Sequence, residues 1–137
     1  MADTKDLSAG LFIGWKQGFL GREDFAIGLL HEATQFFTKL QGAREIGSFD
    51  VVMLHPYGGD LNGFFLVRGA AEQIDALSRH EGYHSIVGKA MFCLDGFRTI
   101  PTLSGAGIST ALRSAAAACT AAGTKGIVEL VTASKKV

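Results

Sequence analysis

The amino-acid sequence predicts an α+β domain with the element order β-α-β-β-α-β and a four-stranded antiparallel sheet, followed by an Ala-rich C-terminal tail. Three observations predict it. Short runs rich in strand-forming residues occur at 11–15, 48–55, 63–68 and 97–103. Two longer stretches with apolar residues three and four apart separate the first run from the second and the third from the fourth. The chain has 137 residues, 47% of them apolar, which suffices for one core but not for two.

The first strand ends in turn material at Gly18 and Gly21. From Arg22 to about Leu40, the positions Ala26, Leu29, Leu30, Ala33, Phe37 and Leu40 draw a stripe down one side of a helix. Glu23 and Asp24 suit its positive N-terminal end, and Gly42 suits its exit. The second and third strands flank His55-Pro56-Tyr57-Gly58-Gly59-Asp60, turn material that predicts a β-hairpin. Phe49, Val51 and Met53 point one way while Val52 and Leu54 point the other, and Phe64 with Leu66 opposes Phe65 with Val67. Both faces of the sheet are therefore apolar.

A second helical region runs from about 70 to 94, but its apolar side changes direction. Ile74 and Leu77 define one arc; Tyr83, Val87, Ala90, Met91 and Leu94 define another, rotated by about a third of a turn. Gly82 is the predicted break. Asp95-Gly96 turns the chain into the fourth strand, where Pro101 predicts an edge or a strand end. Residues 1–105 thus form the domain. Residues 106–137 form an extension with a helix around Ala115 to Ala118 and a short strand candidate at 126–131.

Thirteen basic residues balance thirteen acidic ones with no concentration of either sign, which argues against nucleic acid or an anionic membrane surface as partner. The polar N-terminus and the lack of any apolar run of membrane-spanning length predict a cytoplasmic protein. Cys93 and Cys119 sit far apart in apolar surroundings, as expected of buried reduced thiols that hold no metal.

Two helices would cover one face of the sheet and leave the other apolar face bare, so a second copy packed sheet to sheet by two-fold symmetry is expected. The element order, the hairpin residues 55–65 and the return segment Asp95-Gly96-Phe97-Arg98 resemble the dimeric α+β barrel superfamily with its ferredoxin-like subunits, including its uncharacterised bacterial members. The likeness covers residues 11–105. It implies a homodimer and a pocket between sheet and helices in each subunit. That superfamily holds small monooxygenases, haem-degrading enzymes, isomerases, dehalogenase-like and cyclase enzymes, so the resemblance implies a fold and leaves the chemistry open.

His80-Glu81-Gly82-Tyr83-His84 matches the His-Glu-x-x-His pattern, in which two histidines four apart on a helix share a zinc ion and the Glu activates its water. The surroundings argue against it: Gly82 lies inside the pattern, no His follows His84, and Arg79 replaces the usual apolar flank. On an unbroken helix His80 and His84 would instead point at the sheet, near the middle of a stripe made by Leu77, Val87 and Met91. Some haem-degrading members of the superfamily carry a haem-ligating His on this helix, which makes haem binding a further alternative; otherwise these are surface or hinge histidines. His55, at the end of the second strand, is a candidate acid or base near neutral pH or an ordinary turn residue. Trp15, Arg68, Tyr83 and Arg98 are candidate pocket-liners that could instead serve packing or the surface. The reading that collects these residues is a pocket for a small apolar, aromatic or polyketide-like molecule. It would be transformed, as in a monooxygenase or isomerase, without a bound cofactor, with His55, His80 or His84 moving protons. The competing reading is a structural or regulatory oligomer with no chemistry.

Overall fold

A computed structural model describes residues 6–121. In chain order the elements are β1 (Ala9–Trp15), β2 (Gln17–Gly18), α1 (Glu23–Gly42), β3 (Ser48–Met53), β4 (Gly63–Gly69), α2 (Ala71–Ser78), α3 (Glu81–Cys93), β5 (Leu94–Asp95), β6 (Arg98–Leu103) and α4 (Ala106–Ala121). The described residues divide into two units, one ending at Ser104 and the other beginning at Gly105.

In the first unit the four longer strands form an antiparallel sheet in the order β3-β4-β1-β6, so β3 and β6 are edges. Pro101 lies in β6 opposite Leu11, at an edge where its missing N–H leaves no ladder bond unmade. The alternation of side chains assigns one face to the core: Leu11, Ile13 and Trp15 of β1 and Phe65 and Val67 of β4 are each at most 9% exposed. The helices bury their stripes on this face, α1 through Leu29, Ala33, Phe37 and Leu40 and α3 through Tyr83, Ile86, Ala90 and Cys93. Phe37 sits at the centre, its ring 5.4 Å from Phe65 and 5.8 Å from Phe49. Removing such a ring would cost about 3–5 kcal/mol. The opposite face carries Phe12 and Phe64, with ring centroids 4.9 Å apart, together with Val52, Leu66 and the half-exposed Ile100.

Three expectations need correction. The second helical region breaks at Arg79 and His80, ahead of Gly82. The N–H groups of Arg79 and His80 bond back to Ala76 and Leu77, tightening and ending α2, and α3 starts at Glu81. Gly82 lies within the first turn of α3, where an added Cβ would come 2.6 Å from the Phe36 ring, so this glycine permits a close approach instead of a break. The second strand stops at Met53, which leaves His55 in the exposed loop that follows. Finally, Gly42 is the last residue of α1, and Arg44 (φ 61°) takes the left-handed turn beyond it.

A two-stranded ribbon of β2 and β5 was also not expected: Gln17–Gly18 lay in turn material, and Leu94–Asp95 was divided between the end of the second helical region and the turn after it. The ribbon ties the end of β1 to the end of α3, where Arg22 donates to the Phe92 carbonyl at 2.7 Å and lies 4.3 Å over the Phe92 ring. In the second unit α4 includes Ala115 to Ala118 and Cys119. The strand candidate at 126–131 lies outside the described residues.

Candidate functional site

Between the core face of the sheet and the helices lies a cavity of about 180 Å³. The sheet contributes Ile13, Trp15, Met53 and Phe65; α1 contributes Ala26, Ile27, Leu29, Leu30 and Ala33; α3 contributes Ile86 and Ala90, and Gly18, Leu94 and Phe97 complete the wall. Apart from the indole N–H of Trp15 these side chains are apolar, and none is an acid or a base. The space exists because the helical stripes are interrupted by small residues: Ala33 and Ala90, 5% and 2% exposed, stand where a Leu would fill the gap. Two lining residues reach solvent, Ile27 at 59% and Met53 at 60% exposed, and mark the mouth.

Trp15, Gly63 and Met53 are direct cross-strand partners on β1, β4 and β3. A Cβ added to Gly63 would come 2.6 Å from Trp15 Cζ2 and 2.8 Å from Met53 Sδ, so both side chains lean over the bare glycine. Trp15 is fixed from both ends. Its carbonyl accepts the Asn62 N–H at 2.8 Å, and its indole lies 5.9 Å from the Phe65 ring.

Of the residues singled out in the sequence, Trp15 alone lines the cavity. Tyr83 is buried in the core without lining the cavity, is hydrogen-bonded to Thr99, and has its hydroxyl pushed above the ordinary value by burial. Arg68 projects from the opposite face of the sheet and pairs with Asp50 at 3.7 Å. Arg98 works as a strap on the loop after β3: its guanidinium donates to the Asp60 carbonyl at 2.8 Å and to the Gly96 carbonyl at 3.1 Å. His55 is exposed in that loop.

His80 has extended backbone (φ −74°, ψ 131°) and caps α3, its Nδ1 accepting the Gly82 N–H at 2.9 Å while its ring stands edge-on to Phe36. His84 lies on the exposed side of α3 and donates from Nε2 to the Ser78 carbonyl at 2.6 Å. The two histidines therefore stitch α2 to α3. They do not fit a zinc ion: His80 is outside the helix that should align the pair, and its Nδ1 is occupied. Among the described residues no three His, Cys, Asp or Glu side chains are grouped to hold a metal. Neither histidine lines the cavity under the sheet; His84 instead borders an open cleft between α1 and α3, beside Phe25, Glu32, Lys89 and Phe92. The stripe expected to aim them at the sheet was misjudged with them, since Met91 is 67% exposed.

The lining residue that sequence reasoning missed is Met53. It was placed on the correct face of its strand, but nothing in a strand pattern reveals that the cross-strand neighbour is a glycine.

No protein-family model matches the chain, and no curated protein matches it in sequence. Among solved structures, a dimeric protein of unknown function and ferredoxin-like fold from Bacteroides fragilis aligns with 70% of this chain and 95% of its own, at a TM-score of 0.54 and 7% identity. A candidate antibiotic biosynthesis monooxygenase from Chloroflexus aurantiacus aligns with 72% of this chain and 94% of its own, at a TM-score of 0.47 and 16% identity. No helix among the described residues is long and apolar enough to cross a membrane. The sheet order, the two-layer packing and the first of these likenesses establish one conclusion: the fold is ferredoxin-like.

Proposed function

We propose that the protein binds a small apolar molecule, a single aromatic ring or a short alkyl chain, in the cavity between sheet and helices. The observation that carries this reading is the lining itself, in which no titratable side chain occurs and the Trp15 indole N–H is the one polar side-chain group. A dry apolar cavity of about 150 Å³ is enough to hold benzene, so about 180 Å³ admits one substituted ring and excludes the multi-ring polyketides. The same lining favours binding over acid–base turnover, because His55, His80 and His84 all lie off the cavity and a proton acceptor must reach the reacting atom. The working unit is a homodimer, in which the face bearing Phe12, Phe64, Leu66 and Ile100 meets its copy. The Bacteroides fragilis protein, described as dimeric, is in keeping with this reading.

The test uses Trp15, the only tryptophan of the chain, as reporter. Toluene titrated into the protein should shift Trp15 emission saturably and raise the unfolding free energy by about 2.7 kcal/mol at a hundred times its dissociation constant. Anthracene, with three fused rings, should do neither. Toluene without effect on emission or stability would refute the proposal.

A further inference from the structure

We propose that Met53 is the gate of the cavity and that Gly63 is what lets the gate close. The inference rests on the ligand-binding reading above and adds the part that moves. Trp15, Gly63 and Met53 form one row across β1, β4 and β3 on the core face. Any side chain at the middle position would hold the outer two apart; with a hydrogen there, the Met53 thioether and the Trp15 indole close over the same point, 2.8 and 2.6 Å from where a Cβ would stand. Sulfur against an aromatic ring is an attractive contact and an easily broken one.

The residues around the mouth differ in their freedom to move. Trp15 is 9% exposed and held through its carbonyl and its ring. Ile27, on α1, is β-branched and restricted at χ1 by the helix. Met53 is unbranched, 60% exposed, and the last residue of an edge strand, with the loop of Tyr57, Gly58 and Gly59 beyond it. A ligand can therefore pass when Met53 swings off Trp15 into solvent, with the rest of the wall left in place. The closed thioether then sets the length of ligand that the cavity accepts.

The experiment is stopped-flow mixing with toluene, read by Trp15 emission, on wild type, Met53→Ala and Met53→Ile. Met53 is exposed, so neither change empties the core, and thermal unfolding verifies that both variants fold. Met53→Ala should raise the association and dissociation rate constants together by roughly two- to tenfold, the factor a lost sulfur–aromatic contact carries. Met53→Ile should lower both, because a β-branched side chain swings less readily. Without ligand, acrylamide should quench Trp15 more strongly in Met53→Ala than in wild type. If toluene binds and the association rate is the same in all three proteins, the gate is wrong and the cavity reading stands. If wild type does not bind toluene, both fall together.

Discussion

An empty apolar cavity is a standing cost to the fold, and filling it should show how much. At about 24 cal/mol per Å³, a cavity of about 180 Å³ corresponds to roughly 4 kcal/mol, an upper bound because this one opens at Ile27 and Met53. Ala90, on α3, is 2% exposed and part of the wall. Ala90→Leu would add three carbons at about 0.8 kcal/mol each, so about 2.4 kcal/mol if all of them find space and somewhat less after the side chain is ordered. With a urea dependence of about 1–3 kcal/mol/M for a small domain, a gain of about 2 kcal/mol should raise the unfolding midpoint by roughly 0.7–2 M. Toluene binding should disappear in the same variant, since its site is occupied. Urea titration and the Trp15 assay measure the two effects on one preparation. A variant that lost about 1–3 kcal/mol, as an overpacked core does, and still bound toluene would show that Ala90 does not face an open space.

Three further outcomes are expected. His80→Ala should lower stability by about 0.5–2 kcal/mol in urea unfolding, the worth of an N-cap, with His80→Asn restoring most of it and toluene affinity unchanged in both. Stability should fall above about pH 9, because burial holds the Cys93 thiol above its ordinary value of 9.0 against the opposing Arg22 charge, and holds the Tyr83 hydroxyl above 10.0 against its Thr99 hydrogen bond. Both groups are neutral when protonated and bind the proton more tightly in the folded state, so their contribution is lost as pH rises through the folded values. Tyr83→Phe combined with Cys93→Ala should flatten that alkaline decline in thermal unfolding scans. Ile100→Lys, on the half-exposed open face, should reduce the mass in sedimentation equilibrium to that of one chain, since a lysine between two sheets would be buried without a partner. A dimer that persisted would place the interface elsewhere.

What the sequence made legible was whatever leaves a periodic trace. The doubly apolar hairpin strands appear as a core face and an open face because a strand's alternation assigns every residue to one side, and Phe65 and Val67 duly fall inside while Phe64 and Leu66 stay out. Pro101 marked an edge because it cannot donate to a ladder. The ribbon of β2 and β5, two residues a strand, is too short to carry a period at all.

The helix break and the cavity were illegible for different reasons. Glycine was taken as the breaker, but Gly82 is helical and is small because Phe36 needs the room; the break is made by hydrogen bonds at Arg79 and His80 and by an imidazole acting as a cap. The buried stripe of α3 is Tyr83, Ile86 and Ala90, one residue ahead of the His84, Val87 and Met91 that were expected there; one residue turns a helix face by about 100°, so His84 faces the Ser78 carbonyl instead of the sheet. The cavity leaves still less trace, because hydrophobic periodicity registers that a position is apolar and is blind to its volume. Ala33 and Ala90 read as core on the same terms as Leu29 and Ile86, though in the fold the first two withhold the atoms that the second two supply. Gly63 is the extreme case. On β4 it is one residue of an ordinary strand, and its consequence appears only when the register sets Trp15 on one side of it and Met53 on the other. A binding site built from missing side chains is thus a property of pairing between strands and helices far apart in sequence, and it is the pairing that any variant at Gly63, Ala33 or Ala90 would probe.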